Sequence, residues 1–165
     1  ITDNPEESMT NEFNADDIFE MAVKIEQNGA VFYRDAAGHI EDKKNKTFLL
    51  ELARMEDAHE MIFAGMKKEL TEQEKLSTTF DPEDENIIYL KAFADSKVFF
   101  KKEKPDSSFQ GILNCAIRTE KDSIAFYLGI KELVPEKSGK SKIDAIIKEE
   151  MSHIRLLAGK LKELY

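Results

Sequence analysis

Cysteine, proline and glycine are scarce in this sequence of 165 residues, at one, four and seven. The lone cysteine, Cys115, excludes an internal disulfide. It also excludes a Cys-x-x-Cys pair of the kind that holds zinc or a rubredoxin-type iron, and it suits a reducing cytoplasm. Few glycines and prolines leave few obligatory turns, and abundant Glu, Lys, Leu, Ile and Ala favour helices over strands. No apolar run approaches the ~20 residues that span a bilayer, and no basic-then-apolar leader opens the chain; neither a membrane partner nor export is expected. Positive charge is in deficit too. A formal net charge of -9 sets the molecule against nucleic-acid phosphates and anionic surfaces as partners. What remains, 41% apolar over the length of one domain, is enough to bury a core.

Residues 1–13 are polar, acidic and aperiodic, and read as a loose tail before a four-helix domain over 14–165. Asn14 is a natural N-cap, with Asp16 and Asp17 in the first turn. A first helix to about Ile40 follows, with Phe19, Ala22, Glu26, Gly29, Tyr33, Ala36 and Ile40 spaced alternately three and four along one core-facing seam. After a polar turn around Asp42 to Asn45, the rhythm resumes with Leu49, Leu52, Glu56, His59, Phe63, Met66 and Leu70. A third helix, from about Ser108 to Val134 and stopped by Pro135, aligns Leu113, Ala116, Glu120, Ser123, Tyr127, Ile130 and Val134. A fourth, after the Ser138-Gly139 turn, aligns Ile143, Ile146, Glu150, His153, Leu157 and Leu164.

From Thr71 to Asp106 the pattern breaks. Asp81-Pro82-Glu83-Asp84 resembles a helix start, and Ile87, Ile88, Phe93, Val98, Phe99 and Phe100 are apolar enough to pack, so a long crossover with a short helix is expected. A helix of about 26 residues is roughly 40 Å long, and an extended segment of about 36 residues outreaches it. An all-α, ferritin-like bundle with a long connection between its second and third main helices is therefore feasible. Shifting the first two helices by 94 positions lays Glu26 on Glu120, Tyr33 on Tyr127, Glu56 on Glu150 and His59 on His153. This repeat suggests a duplicated helical hairpin.

Glu and His three apart on a helix project to neighbouring directions, so Glu56 with His59, and Glu150 with His153, can each address a metal ion. Glu26 and Glu120 supply one carboxylate from each remaining helix, completing the ligand pattern of di-iron and di-manganese bundles. Four buried unpaired carboxylates would rival the ~5–15 kcal/mol that holds a domain folded. Two divalent cations balance their charge, and two imidazoles add a nitrogen to each ion. A lone Glu-x-x-His is more often a solvated face or a metal-free hydrogen-bond network; here the duplication and the seam positions favour ligation. Mixed Glu and His ligands suit iron, or manganese in its place, better than zinc.

Tyr33 and Tyr127 fall two turns after Glu26 and Glu120. There each hydroxyl is placed to bond a ligand carboxylate or meet bound oxygen, or simply to pack as a core tyrosine. Gly29 and Ser123, one turn beyond the same glutamates, leave room for a bridging water, peroxide or dioxygen, or for close helix packing. Cys115 reads as a small buried hydrophobe and His39 as an exposed helix end.

Ile25-Glu26 with Phe32-Tyr33, Met55-Glu56-Asp57-Ala58-His59 and Glu149-Glu150-Met151-Ser152-His153 resemble the ferritin-like domain of rubrerythrins, over roughly residues 14 to 164. The resemblance implies that Glu26, Glu56, His59, Glu120, Glu150 and His153 hold two iron ions, and that the reduced centre reacts with hydrogen peroxide or dioxygen. Two features depart from the family. Ser123 stands where typical members carry a further Glu, which exchanges with a His as the iron changes oxidation state, and its absence argues against turnover by that route. These 165 residues, with one cysteine, do not include the family's four-cysteine rubredoxin domain, so electrons are expected from an external, rubredoxin-like donor or a small reductant.

The leading expectation is thus a redox enzyme acting on a small oxidant. The alternatives are a ferroxidase-type or non-catalytic iron-binding protein, or an assembly subunit docking through Phe99 and Phe100. Association as a homodimer is expected from the relatives of such bundles.

Overall fold

The computed structural model describes residues 14–76, 85–95 and 107–165, and among them finds helices and turns but no strand. The predicted tail, the Asp81 to Asp84 start and Val98, Phe99 and Phe100 lie outside the described residues. Helix α1 (Ala15–Gly38) opens on a reciprocal capping box, Asn14 accepting from the Asp17 N–H while Asp17 accepts from the Asn14 N–H. Helix α2 (Lys43–Glu69) is capped by the Asp42 side chain and α4 (Phe109–Leu133) by Ser108. After a 3-10 turn at Glu136–Ser138, α5 (Lys140–Lys162) begins at Gly139.

The predicted seams face inward, with two corrections. Leu164 lies past the end of α5 and is exposed, because the helical face that would have buried it stops at Lys162. In α3 (Glu85–Asp95), which packs on α4, Ile88 points outward and is 64% exposed, whereas Leu90 is fully buried and Phe93 packs against the core. Alpha3 docks where α4 has no side chain. A Cβ on Gly129 would stand 2.8 Å from Tyr89 Cε1 and 2.9 Å from Leu90 Cδ2.

Contacts across the bundle fix its topology. Tyr33 reaches Glu120 and Tyr127 reaches Glu26, so α1 and α4 run antiparallel; His59 meets Glu149 and His153 meets Met55, so α2 and α5 do as well. Since α1 and α2 form an antiparallel hairpin, α2 and α4 are parallel. The segment between them must return along the bundle, as the crossover reading required.

Two apolar clusters fill the interior. One gathers Phe19, Phe63, Tyr127 and Ile143; the other gathers Tyr33, Leu49, Leu113 and Leu157. These are repeat partners: Phe19 matches Leu113, Phe63 matches Leu157, Leu49 matches Ile143 and Tyr33 matches Tyr127. The duplication therefore appears in space as a pseudo-twofold that exchanges the two apolar layers. Along each seam, the glutamates and histidines fall between them.

Candidate metal centre

Alternating three-four spacing places each ionisable residue on the buried stripe of its helix, and the bundle then brings all six together. Glu26, Glu56, His59, Glu120, Glu150 and His153 are each at most 5% exposed. They form two overlapping donor sets. Glu26, Glu56, His59 and Glu150 make one, Glu56, Glu120, Glu150 and His153 the other, with ligand atoms in each set within 4.8 Å of one another. Sequence spacing assigned each Glu-x-x-His pair to its own ion. In the structure, Glu56 and Glu150 belong to both sets, which distinguishes two shared carboxylates from the terminal Glu26 and Glu120.

His59 Nδ1 lies 2.7 Å from Glu150 Oε1 and 3.5 Å from Glu26 Oε2. His153 Nδ1 lies 3.1 Å from Glu150 Oε2, 3.2 Å from Glu56 Oε1 and 3.5 Å from Glu120 Oε1. The two rings are nearly parallel, 20° apart with centroids at 5.6 Å. Glu26 Oε2, Glu56 Oε1, Glu150 Oε1 and His59 Nδ1 are buried and approach facing groups only as ion pairs, at 2.7 to 3.5 Å, without an aligned hydrogen bond. Buried polar atoms are rarely left so. Four buried donor atoms converging from three helices, crowded together without aligned hydrogen bonds, fit a metal better than an apolar core or a closed hydrogen-bond network.

Electrostatics point the same way. Burial raises the Glu56 carboxyl well above the carboxylate range, reinforced by the charges of Glu120 and Glu150. Burial likewise raises Glu26, and lifts Glu120 to about 8 with help from Glu150. Burial works against imidazolium, but the facing carboxylates outweigh it and push His59 up to about 11 and His153 to about 12. Glu150 is the exception: burial raises it, yet Glu120 and the two imidazoles more than offset this and hold it well below the usual range. Without a cation, protons neutralise the cluster.

The tyrosines hydrogen-bond across the repeat. Tyr33 donates to Glu120 Oε1 and Tyr127 to Glu26 Oε1, each hydroxyl serving the glutamate of the other half. Burial raises both phenols well above their ordinary value, so both stay protonated donors. Ser123 is buried, but its Oγ donates back to the Thr119 carbonyl at 3.1 Å and belongs to neither donor set. Gly29 makes space for the Glu56 carboxylate: a Cβ there would stand 2.8 Å from Glu56 Oε2. Cys115 is buried and His39 is the exposed C-cap of α1.

Residue-type patterns missed the outer partners of the histidines. His59 Nε2 is 2.8 Å from Glu149 Oε2, and His153 Nε2 is 3.2 Å from Met55 Sδ. Both partners precede a Glu-x-x-His motif by one residue, and that equivalence in the repeat was the available signal.

Fold and site together define a ferritin-like four-helix bundle with a buried carboxylate and histidine cluster of the metal-binding type. The sequence profile of the Rubrerythrin family matches residues 17–103, and the chain belongs to that family. It is also similar to a crystal structure from Thermotoga maritima described as a ferritin-like diiron-carboxylate protein. That similarity has a TM-score of 0.65 at 27% identity and covers 91% of this chain and 95% of the other. No curated protein matches the sequence. Among the described residues, no helix is long and apolar enough to cross a membrane.

Proposed function

We propose that this protein binds two iron ions and reduces hydrogen peroxide, or dioxygen, with electrons from a donor outside these 165 residues. The observation that carries the reading is the pair of buried donor sets sharing Glu56 and Glu150, with four of their ligand atoms held close together without an aligned hydrogen bond. Glu26 and His59 would complete one position, and Glu120 and His153 the other. Bound iron supplies electrons and Lewis acidity. Around it, Tyr33 and Tyr127 orient the terminal carboxylates, the apolar layers exclude bulk water, and Gly29 keeps Glu56 free to adjust. Peroxide reduction consumes two electrons and two protons and yields two waters. A lone cysteine cannot hold a rubredoxin-type iron, so a rubredoxin-like protein or a small reductant is the proposed donor.

Ser123 favours a second reading. With its hydroxyl turned back to Thr119, it offers no carboxylate to follow a change of iron charge, as suits a ferroxidase-type or storage role. Metal analysis after anaerobic production in iron-replete medium, then stopped-flow absorbance with peroxide or air, separates the two. Two irons per chain, oxidised much faster by peroxide than by air, are expected. Faster oxidation by air would favour the ferroxidase reading, and fewer than about one metal per chain would sink both.

A further inference from the structure

The six inner ligands obey the internal repeat, but the groups behind the histidines do not. Position 149 is the repeat partner of position 55, and each side chain lies against Nε2 of the histidine across the α2/α5 contact. His59 faces the Glu149 carboxylate at 2.8 Å; His153 faces the Met55 thioether at 3.2 Å. A carboxylate accepts strongly and a thioether weakly. An imidazole whose N–H is held by a carboxylate is fixed in tautomer and orientation and becomes a more basic ligand. With Nε2–H committed to Glu149, His59 presents Nδ1 to the centre, where that atom is buried and faces the Glu150 and Glu26 carboxylates at 2.7 and 3.5 Å.

We infer that Glu149 is a positioning residue that makes the two metal positions unequal, so that the Glu26 and His59 position fills first and the Glu120 and His153 position second. This rests on the two-metal reading proposed above. Glu149 suits the role because its side chain is 61% exposed while the histidine it touches is 1% exposed: it links the surface to the buried centre without itself needing a place in the core. An ordered pair of affinities gives the centre a one-metal state in which the His153 half is still open to an incoming ion.

The test is a Co(II) titration of metal-free protein, followed by absorbance and by proton NMR of the exchangeable imidazole N–H signals. Wild type should fill in two steps, the first tighter by about tenfold or more, and the first ion should shift the His59 N–H before that of His153. Glu149→Met, which makes both outer positions thioethers, should weaken the first step by about 10–100-fold and leave the second near its original value. Glu149→Gln, retaining an oxygen acceptor without charge, should recover part of that loss. Met55→Glu should strengthen the second step, a gain that no general loosening of the fold produces. Two ions bound with equal affinity, or with steps insensitive to Glu149→Met, would overturn this inference and leave the two-metal reading intact. Failure of wild type to bind two ions would overturn both.

Discussion

Each tyrosine in the centre has a single hydroxyl to give, and it gives it to a glutamate on another helix. Removing the Tyr127 hydroxyl leaves Glu26 Oε1 buried without that donor. Tyr127→Phe should therefore lose about 1–3 kcal/mol of stability in urea denaturation and weaken metal binding; unchanged values in both would show that the hydroxyl is idle. Gly29→Ala tests space instead. Alanine is the better helix former by about 1 kcal/mol, but its Cβ meets Glu56 Oε2 at 2.8 Å and must push that carboxylate aside. The expected outcome is a folded helix with reduced metal content by elemental analysis; full occupancy would mean that Glu56 has room to spare. The four inner glutamates and two histidines were legible because burying an ionisable group on an apolar seam is costly enough to require a reason. The crossing of Tyr33 to Glu120, the sharing of Glu56 and Glu150, and the Glu149 contact were not, since spacing along one helix says nothing of what faces it from the next.

Helices announce themselves where their ends and faces are written locally. Asn14, Ser108 and Pro135 marked starts and stops to within a residue or two, because caps satisfy backbone groups that the helix itself leaves unpaired, whereas α2 starts at Lys43, inside the turn expected through Asn45, because the Asp42 side chain already caps it. Alpha3 was harder to orient: its apolar residues nearly encircle it, and the buried side is decided by Gly129 on α4, far away in sequence. Gly129→Val should dislodge α3 by driving a branched side chain into Tyr89 and Leu90. Faster proteolysis within Glu85–Asp95 is expected, with the Co(II) affinity of the centre retained because the candidate ligands lie on the other four helices. Loss of metal binding together with α3 would mean that the short helix braces the centre itself.

For the molecule as a whole, protons and metal ions compete for one buried cluster, and folding stability should record which holds it. In the metal-free protein Glu26, Glu56 and Glu120, and both histidines, lie above their ordinary values, so the folded state binds more protons than the unfolded chain as pH rises past about 4.5. Stability present at low pH is then lost progressively, through the carboxyl range and on toward the raised histidine values of about 11 and 12. Glu150 works in the opposite sense, since its depressed value adds stability above the carboxyl range that disappears on acidification. Metal reverses the histidine contribution. With both imidazoles ligated and unprotonated, the unfolded chain binds the extra protons below about 6.5, so the loaded protein should gain stability up to that pH and then level off. Urea midpoints between about pH 5 and 9, with chelator or with Co(II), should therefore slope down for the metal-free form, and for the loaded form rise before flattening. Loading both positions near neutral pH should also release more than two protons, one from each imidazole and the rest from Glu56 and Glu120, seen as a buffer-dependent heat in calorimetry. A metal-free midpoint that rises with pH, or a heat independent of buffer, would mean that the carboxylates are already charged and solvated, and would remove the electrostatic case for a buried two-metal centre.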